Sequence, residues 1–152
     1  MNPTVINEGI PLYSRTDGRR VAPHRSRRPA ADEQIAVVVL DDGRAHSING
    51  DVVLGRLPSE DRRVRAASAS PIVVPDVDRR VSRSHLLIRI DGWRVEAIDL
   101  GSRNGSWIMG EDGNWRRLVP GIAAPLEDGA TLCLGSRHVR VRTLHHGTEK
   151  RF

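Results

Sequence analysis

The chain is poor in the residues on which several protein classes depend. Its 152 residues include one cysteine, Cys133, so neither an intrachain disulfide nor a multi-cysteine metal cage can form. Aromatic side chains make up 3% of the sequence, which leaves little surface on which nucleic-acid bases could stack. Lys150 is the only lysine, so nearly all positive charge is arginine. No run approaches the roughly 18 consecutive apolar residues that a membrane-spanning helix needs. Met1-Asn2-Pro3-Thr4 lacks the charged-then-apolar layout of a secretory signal. These absences exclude a disulfide-stapled scaffold, a zinc-finger-type fold and a membrane span, and they leave a soluble domain expected in the cytoplasm.

Catalytic signatures are missing too. There is no Gly-x-Ser-x-Gly elbow and no phosphate-binding P-loop. Ser84 and His85 are neighbours at a strand start, where successive side chains point to opposite faces, so they cannot act as nucleophile and base. His145-His146 with a single cysteine is too little for a metal site. The chain is therefore not expected to be an enzyme, nor to need a metal, a cofactor or a small-molecule substrate.

What is present is an ordinary globular composition, 38% hydrophobic and 28% charged. The formal charge of +5 invites a nucleic-acid reading, but its distribution argues otherwise. Residues 1–18 sum to −1, residues 19–28 to +5 through Arg19, Arg20, Arg25, Arg27 and Arg28, and residues 29–152 to +1. The excess belongs to one short tail beside a nearly neutral body, so nucleic acid is not an expected partner.

Residues 1–33 read as a flexible Arg-rich leader, because prolines at 3, 11, 23 and 29 accompany no hydrophobic periodicity. A folded domain is expected over 34–144 and a short tail over 145–152. Order begins at the β-branched run Ile35–Leu40, closed by the turn signal Asp41-Asp42-Gly43. Further strand candidates are Ala45–Ile48, Val52–Leu54, Ile72–Val74, His85–Ile90, Trp93–Ala97, Trp107–Met109, Trp115–Leu118, Thr131–Leu134 and His138–Thr143. Asn49-Gly50, Asp91-Gly92, Asp112-Gly113-Asn114 and Asp128-Gly129 separate several of them. Many short strands at this spacing predict an all-β sandwich or barrel. Arg56 to Pro71 reads as an irregular loop of the kind that carries function. Trp93, Trp107 and Trp115 are expected to pack in the core or on a sheet face, and Cys133 to be a small buried hydrophobe.

Three short motifs lie where strands meet loops: Gly55-Arg56, then Ser82-Arg83-Ser84-His85, then Ser102-Arg103-Asn104-Gly105-Ser106. In this order they resemble the forkhead-associated (FHA) domain family, with its Gly-Arg, Ser-x-x-His and Ser-x-Asn-Gly-Thr/Ser elements. Leu126–Gly135 is similar to that family's penultimate strand with its preceding Asp-Gly turn. The resemblance covers about residues 35–144 and implies an FHA-type β-sandwich of about eleven strands, of bacterial type. It further implies that loops at one end bind phosphothreonine peptides.

Carried over by position, the resemblance implies that Arg56 binds the phosphate and Ser82 donates to it, with Arg83 adding a second positive charge. Arg103 and Asn104 are expected on the peptide-contacting loop, with Asn104 holding the peptide main chain. Gly55, His85, Gly105 and Ser106 are expected to support the loops rather than touch ligand. The chemistry fits these roles. A guanidinium is a permanently charged planar fork for phosphate oxygens, and an asparagine amide can grip a backbone through both donor and acceptor. Each motif also has a plainer explanation, since Gly-Arg occurs as a strand end with a solvated arginine and Asn-Gly is a common turn pair. The expected partner is a Thr-phosphorylated protein, either a Ser/Thr kinase or one of its substrates. Phosphorylated Thr4 or Thr16 of the leader is a self-ligand to be tested. Two alternatives stay open: a phosphate-independent docking scaffold on the same fold, and a tether to anionic surfaces or nucleic acid through the Arg-rich leader.

Overall fold

A computed structural model describes residues 28–30 and 33–144. The Arg-rich stretch 19–27, Thr4, Thr16 and the segment 145–152 lie outside the described residues. Ordered strands start where the β-branched run predicts, with side chains alternating between buried and half-buried along Ala36–Leu40 (β1). The other strands are Ala45–Ile48 (β2), Val52–Gly55 (β3), Ser70–Val73 (β4), Leu86–Asp91 (β5), Arg94–Asp99 (β6), Ser106–Met109 (β7), Trp115–Arg117 (β8), Ala124–Pro125 (β9), Ala130–Leu134 (β10) and Arg137–Thr143 (β11). They form a five-stranded sheet, order β9-β6-β5-β3-β4, and a six-stranded sheet, order β2-β1-β11-β10-β7-β8.

The inward faces of both sheets meet in one core that includes Val38, Leu54, Leu86, Ile88, Leu132, Leu134, Val139 and Val141, none more than 1% exposed. β11 shows how one strand serves two environments: Val139 and Val141 are buried while His138, Arg140 and Arg142 face solvent. Burying these aliphatic side chains contributes about 1.5–3 kcal/mol each, which makes the sandwich a stiff frame for the loops at its ends.

All pairings are antiparallel except β3 with β4, where Val52 opposes Ser70 and Gly55 opposes Val73. A parallel pair needs a crossover that carries the chain back along the sheet, and residues 56–69 supply it. The segment expected as irregular is therefore structured. Pro58–Glu60 forms a 3₁₀ turn and Arg62–Arg65 a one-turn helix (α1), whose N-cap Asp61 accepts the Arg63 amide at 2.8 Å. Val64 of α1 packs on Val53, Leu87 and Ile98, a second apolar cluster on the outer face of the five-stranded sheet. Both edge strands of that sheet, β4 and β9, contain proline (Pro71, Pro125), which cannot donate to a ladder and is tolerated there.

Cys133 departs from expectation. It is only half-buried, because its register opposite Trp107 and His138 puts it on the outer face of the six-stranded sheet. The same face carries Trp115 stacked on His138, with ring centroids 5.7 Å apart, and Trp107 with Arg117 over its ring. Trp93 packs against the core. No helix among the described residues is long and apolar enough to cross a membrane.

Candidate functional site

The end of β3, the starts of β5 and β7, the end of β6 and the β10–β11 turn lie at one end of the sandwich, and the three motifs meet there. The seam between the first two is backbone to backbone. The Arg56 amide donates to the Ser82 carbonyl at 2.9 Å, and the Leu57 amide to the Arg83 carbonyl at 3.1 Å. Gly55 makes this approach possible, since a Cβ at that position would lie 2.0 Å from the Arg83 carbonyl oxygen.

Arg56 is half-buried, and its Nε donates to the Val81 carbonyl at 3.3 Å. Among the described residues no carboxylate pairs with it, and neither terminal nitrogen has a protein partner. The guanidinium is thus fixed at one donor and free at its fork. Ser82 is held in a complementary way. Its hydroxyl oxygen accepts the Arg103 amide at 3.0 Å, which fills one lone pair and leaves the O–H proton to donate elsewhere.

His85 joins the second motif to the third. It is fully buried, and its Nδ1 accepts the Ser82 amide at 3.0 Å while Nε2 lies 2.9 Å from the Gly105 carbonyl. An Nδ1 that accepts carries no proton, so the ring is the neutral tautomer with Nε2–H donating to Gly105. Burial pushes its pKa below the usual histidine value, more than the Gly105 carbonyl and the neighbouring Asp99 and Asp76 raise it. Both His85 ring nitrogens are taken by backbone groups, so Ser84 forms no nucleophile–base pair with it.

The third loop is built around Asp99, which is 1% exposed. One carboxylate oxygen accepts the Gly101 and Ser102 amides at 2.9 and 3.0 Å, and the other accepts the Ser102 and Ser106 hydroxyls at 2.6 and 2.5 Å. Burial raises its pKa, but these four donors outweigh burial and hold the carboxyl below the usual range. The Ser102 hydroxyl oxygen in turn accepts the Gly105 amide. Gly105 has φ +86, which a β-carbon disfavours, and its carbonyl takes both His85 and the Gly135 amide. Arg103 and Asn104 are left exposed at the tip, with the Asn104 amide donating to the Arg80 carbonyl at 2.9 Å. Ser106 is fully buried.

The structure therefore brings Arg56, Ser82, Arg103 and Asn104 onto one connected rim, with Gly55, His85, Gly105 and Ser106 beneath. Arg83 shares the seam through its backbone, but its side chain is exposed and lies 3.6 Å from the Glu60 carboxylate. A surface pair of this kind is worth about 0–1 kcal/mol.

Three contributors were not visible from the motifs. Asp41, legible only as a turn residue, receives the Arg137 guanidinium and the His138 amide. The Arg137 hydrogen bonds, chiefly, hold its carboxyl below the usual range. Arg137 also donates to the Pro75 carbonyl, fixing the start of the loop that precedes Ser82. Asp76 closes that loop by accepting the Val81 amide at 2.6 Å. An open groove between Met109, Arg116 and Glu127 lies at the opposite end of the sandwich and takes no part in this rim. Among the described residues no cluster of His, Cys, Asp and Glu could hold a metal ion.

Comparison with known proteins gives the architecture a context. The family pattern of the FHA domain matches residues 52–135. The chain is similar to a structure from a study of phosphothreonine-dependent FHA domain interactions, at 29% identity and TM-score 0.51, covering 73% of this chain and 97% of that one. It is also similar to the Mycobacterium tuberculosis Rv1747 FHA-1 domain, at 26% identity and TM-score 0.51, covering 72% and 96%. The fold recurs in Mycobacterium tuberculosis EmbR, solved with a low-affinity phosphopeptide, at 22% identity and TM-score 0.55, covering 79% of this chain and 28% of that one. No curated protein sequence matches the chain.

Proposed function

The chain belongs to the FHA domain family, and from that membership we propose that it is a phosphothreonine-peptide-binding adaptor in Ser/Thr kinase signalling. One observation carries the reading: Arg56 is anchored through Nε beside Ser82, whose lone pair is filled by the Arg103 amide. A guanidinium fork and a hydroxyl proton, both without a protein acceptor among the described residues, suit the oxygens of a phosphate dianion. In this proposal Arg56 and Ser82 bind phosphate, and Arg83 adds charge once its weak pairing with Glu60 yields. Arg103 and Asn104 hold the peptide main chain. The phosphothreonine-dependent interactions described for a domain 29% identical to this one support the same ligand class. The role is non-catalytic and placed in the cytoplasm, and the partner is a threonine-phosphorylated protein, either a kinase or its substrate.

Charge-assisted hydrogen bonds contribute about 1.5–3 kcal/mol each. Two or three of them supply about 3–9 kcal/mol before the cost of ordering the peptide, so micromolar affinity, near −8 kcal/mol, also needs contacts from the peptide main chain and flanking side chains. Fluorescence anisotropy with matched phosphorylated and unphosphorylated threonine peptides tests the proposal. Binding should require the phosphate, and Arg56→Ala should cost at least about 2 kcal/mol. Partner binding that is indifferent to phosphate and survives Arg56→Ala would establish a phosphate-independent scaffold instead.

A further inference from the structure

Several arginines elsewhere on the molecule pair with carboxylates. Arg89 and Arg94 share Glu96, Arg142 meets Asp128, and Arg44 meets Asp42. The rim around Ser82 instead gathers several arginines that have none. Arg79, Arg80 and Arg103 are exposed there and have no ion-pair partner among the described residues. Of the nearby acids, Glu60 pairs with Arg83 and Asp76 accepts the Val81 amide. That leaves Asp78 as the one exposed carboxylate of the loop without such an engagement, against three arginines beyond Arg56.

The backbone that carries them is also held in place. Residues 75–81 are tied down at Pro75 by Arg137, across the loop by Asp76 to the Val81 amide, and at Arg80 by Asn104. A Cβ at Gly135 would lie 2.3 Å from the Arg80 carbonyl oxygen, so the β10–β11 turn closely supports the Arg80 backbone. Arg79 adopts φ +59, in the left-handed region. Each of the three lies within one residue of an atom bonded to Arg56, Ser82 or Asn104. A bound phosphopeptide would therefore run past them.

We propose that the ligands of this site are acidic phosphothreonine peptides, whose carboxylates beside the phosphothreonine are read by Arg79, Arg80 and Arg103. This rests on the phosphothreonine reading above and specifies its substrate class. Rim charges act through solvent and are screened by salt, so they select among phosphopeptides without replacing the phosphate contact.

The test compares five fluorescent peptides by anisotropy with the full chain. They are a phosphothreonine with neutral flanks, the same with three acidic residues before it, with three after it, with lysines on both sides, and an unphosphorylated acidic peptide. At least one acidic phosphopeptide should bind about tenfold more tightly than the neutral one, the lysine peptide should bind more weakly than the neutral one, and the acidic advantage should shrink on raising salt from about 0.05 M to 0.5 M. The double variant Arg79→Gln/Arg80→Gln should lose most of that advantage while binding the neutral phosphopeptide within about twofold of wild type. Equal affinity for acidic and neutral phosphopeptides overturns the proposal and leaves the phosphothreonine reading standing. If no phosphopeptide binds, or the unphosphorylated acidic peptide binds as well as its phosphorylated form, both fail together.

Discussion

His85 couples the recognition rim to the proton concentration of the solvent. The ring is fully buried, accepts at Nδ1 from the Ser82 amide and donates at Nε2 to the Gly105 carbonyl. Adding a proton to Nδ1 would point it at an N–H that already points back, on a ring shielded from solvent. The folded protein therefore protonates the ring at a lower pH than the unfolded chain, whose value is near 6.5. Because the unfolded state then binds more protons, stability must fall as pH falls. The contribution is complete above about pH 6.5, declines by up to about 1.4 kcal/mol per unit below it, and stops declining once the folded ring itself protonates. Urea unfolding between about pH 7.5 and pH 5 reads this slope before the carboxylates protonate. Substituting His85→Gln removes the titrating group and should flatten that part of the curve. Should the variant fail to fold, nitrogen chemical shifts of the wild-type imidazole give the same information, with Nδ1 still unprotonated and Nε2 protonated at the pH where a free imidazole takes up its second proton. A His85 ring that titrates near its free value, or a variant that keeps the wild-type slope, would refute the assignment of this residue as a neutral strut.

Three other outcomes follow from the same geometry. Gly55→Ala places a methyl group 2.0 Å from the Arg83 carbonyl oxygen, so the two seam hydrogen bonds must open. The variant should lose about 2–4 kcal/mol in denaturant unfolding and most of its phosphopeptide affinity. Asp99→Ala strands four donors and should cost at least about 3 kcal/mol, whereas Asp99→Asn should cost less because its oxygen can take the two amides while the serine hydroxyls rotate to accept; thermal melts rank the two. If acidic flanks are favoured, a peptide phosphorylated at Thr16, where Arg15, Arg19 and Arg20 outnumber Asp17, should bind more weakly than one phosphorylated at Thr4, whose nearest charged side chain is Glu8; competition anisotropy against a labelled phosphopeptide compares them.

Legibility from sequence tracks the range over which each interaction acts. Ile35–Leu40 and Val139–Val141 read as strands because β-branched and alternating side chains fit a half-buried pleat whatever lies opposite. β9 was invisible: Ala124-Pro125 has no strand preference and is a strand only because Ala97 and Glu96 present an open edge to it. The crossover at 56–69 was likewise unreadable as structure. A four-residue helix has no periodicity to detect, and its existence follows from the parallel pairing of β3 with β4, a fact of topology. The rim residues were legible for the opposite reason, since Gly55-Arg56, Ser82 and Asn104-Gly105 each carry their chemistry within a few neighbouring positions.

What holds those residues together was far less visible. Asp41 and Arg137 are 96 positions apart, and each looks locally like a turn residue or a solvated charge. Asp99 reads as a strand-end acid, yet it organises the whole of the third loop. Both act by satisfying donors on other segments, and that role appears only once β6, β7 and the β10–β11 turn share one end of the sandwich. The order of consequence therefore runs from frame to rim. The apolar strands fix where the loops begin, buried Asp99 and His85 set how the loops lie against one another, and only then are Arg56 and Ser82 left with donors that no acceptor among the described residues takes. Arg56 is anchored at Nε with its fork open among the described residues, and in the proposed function the phosphate dianion completes it.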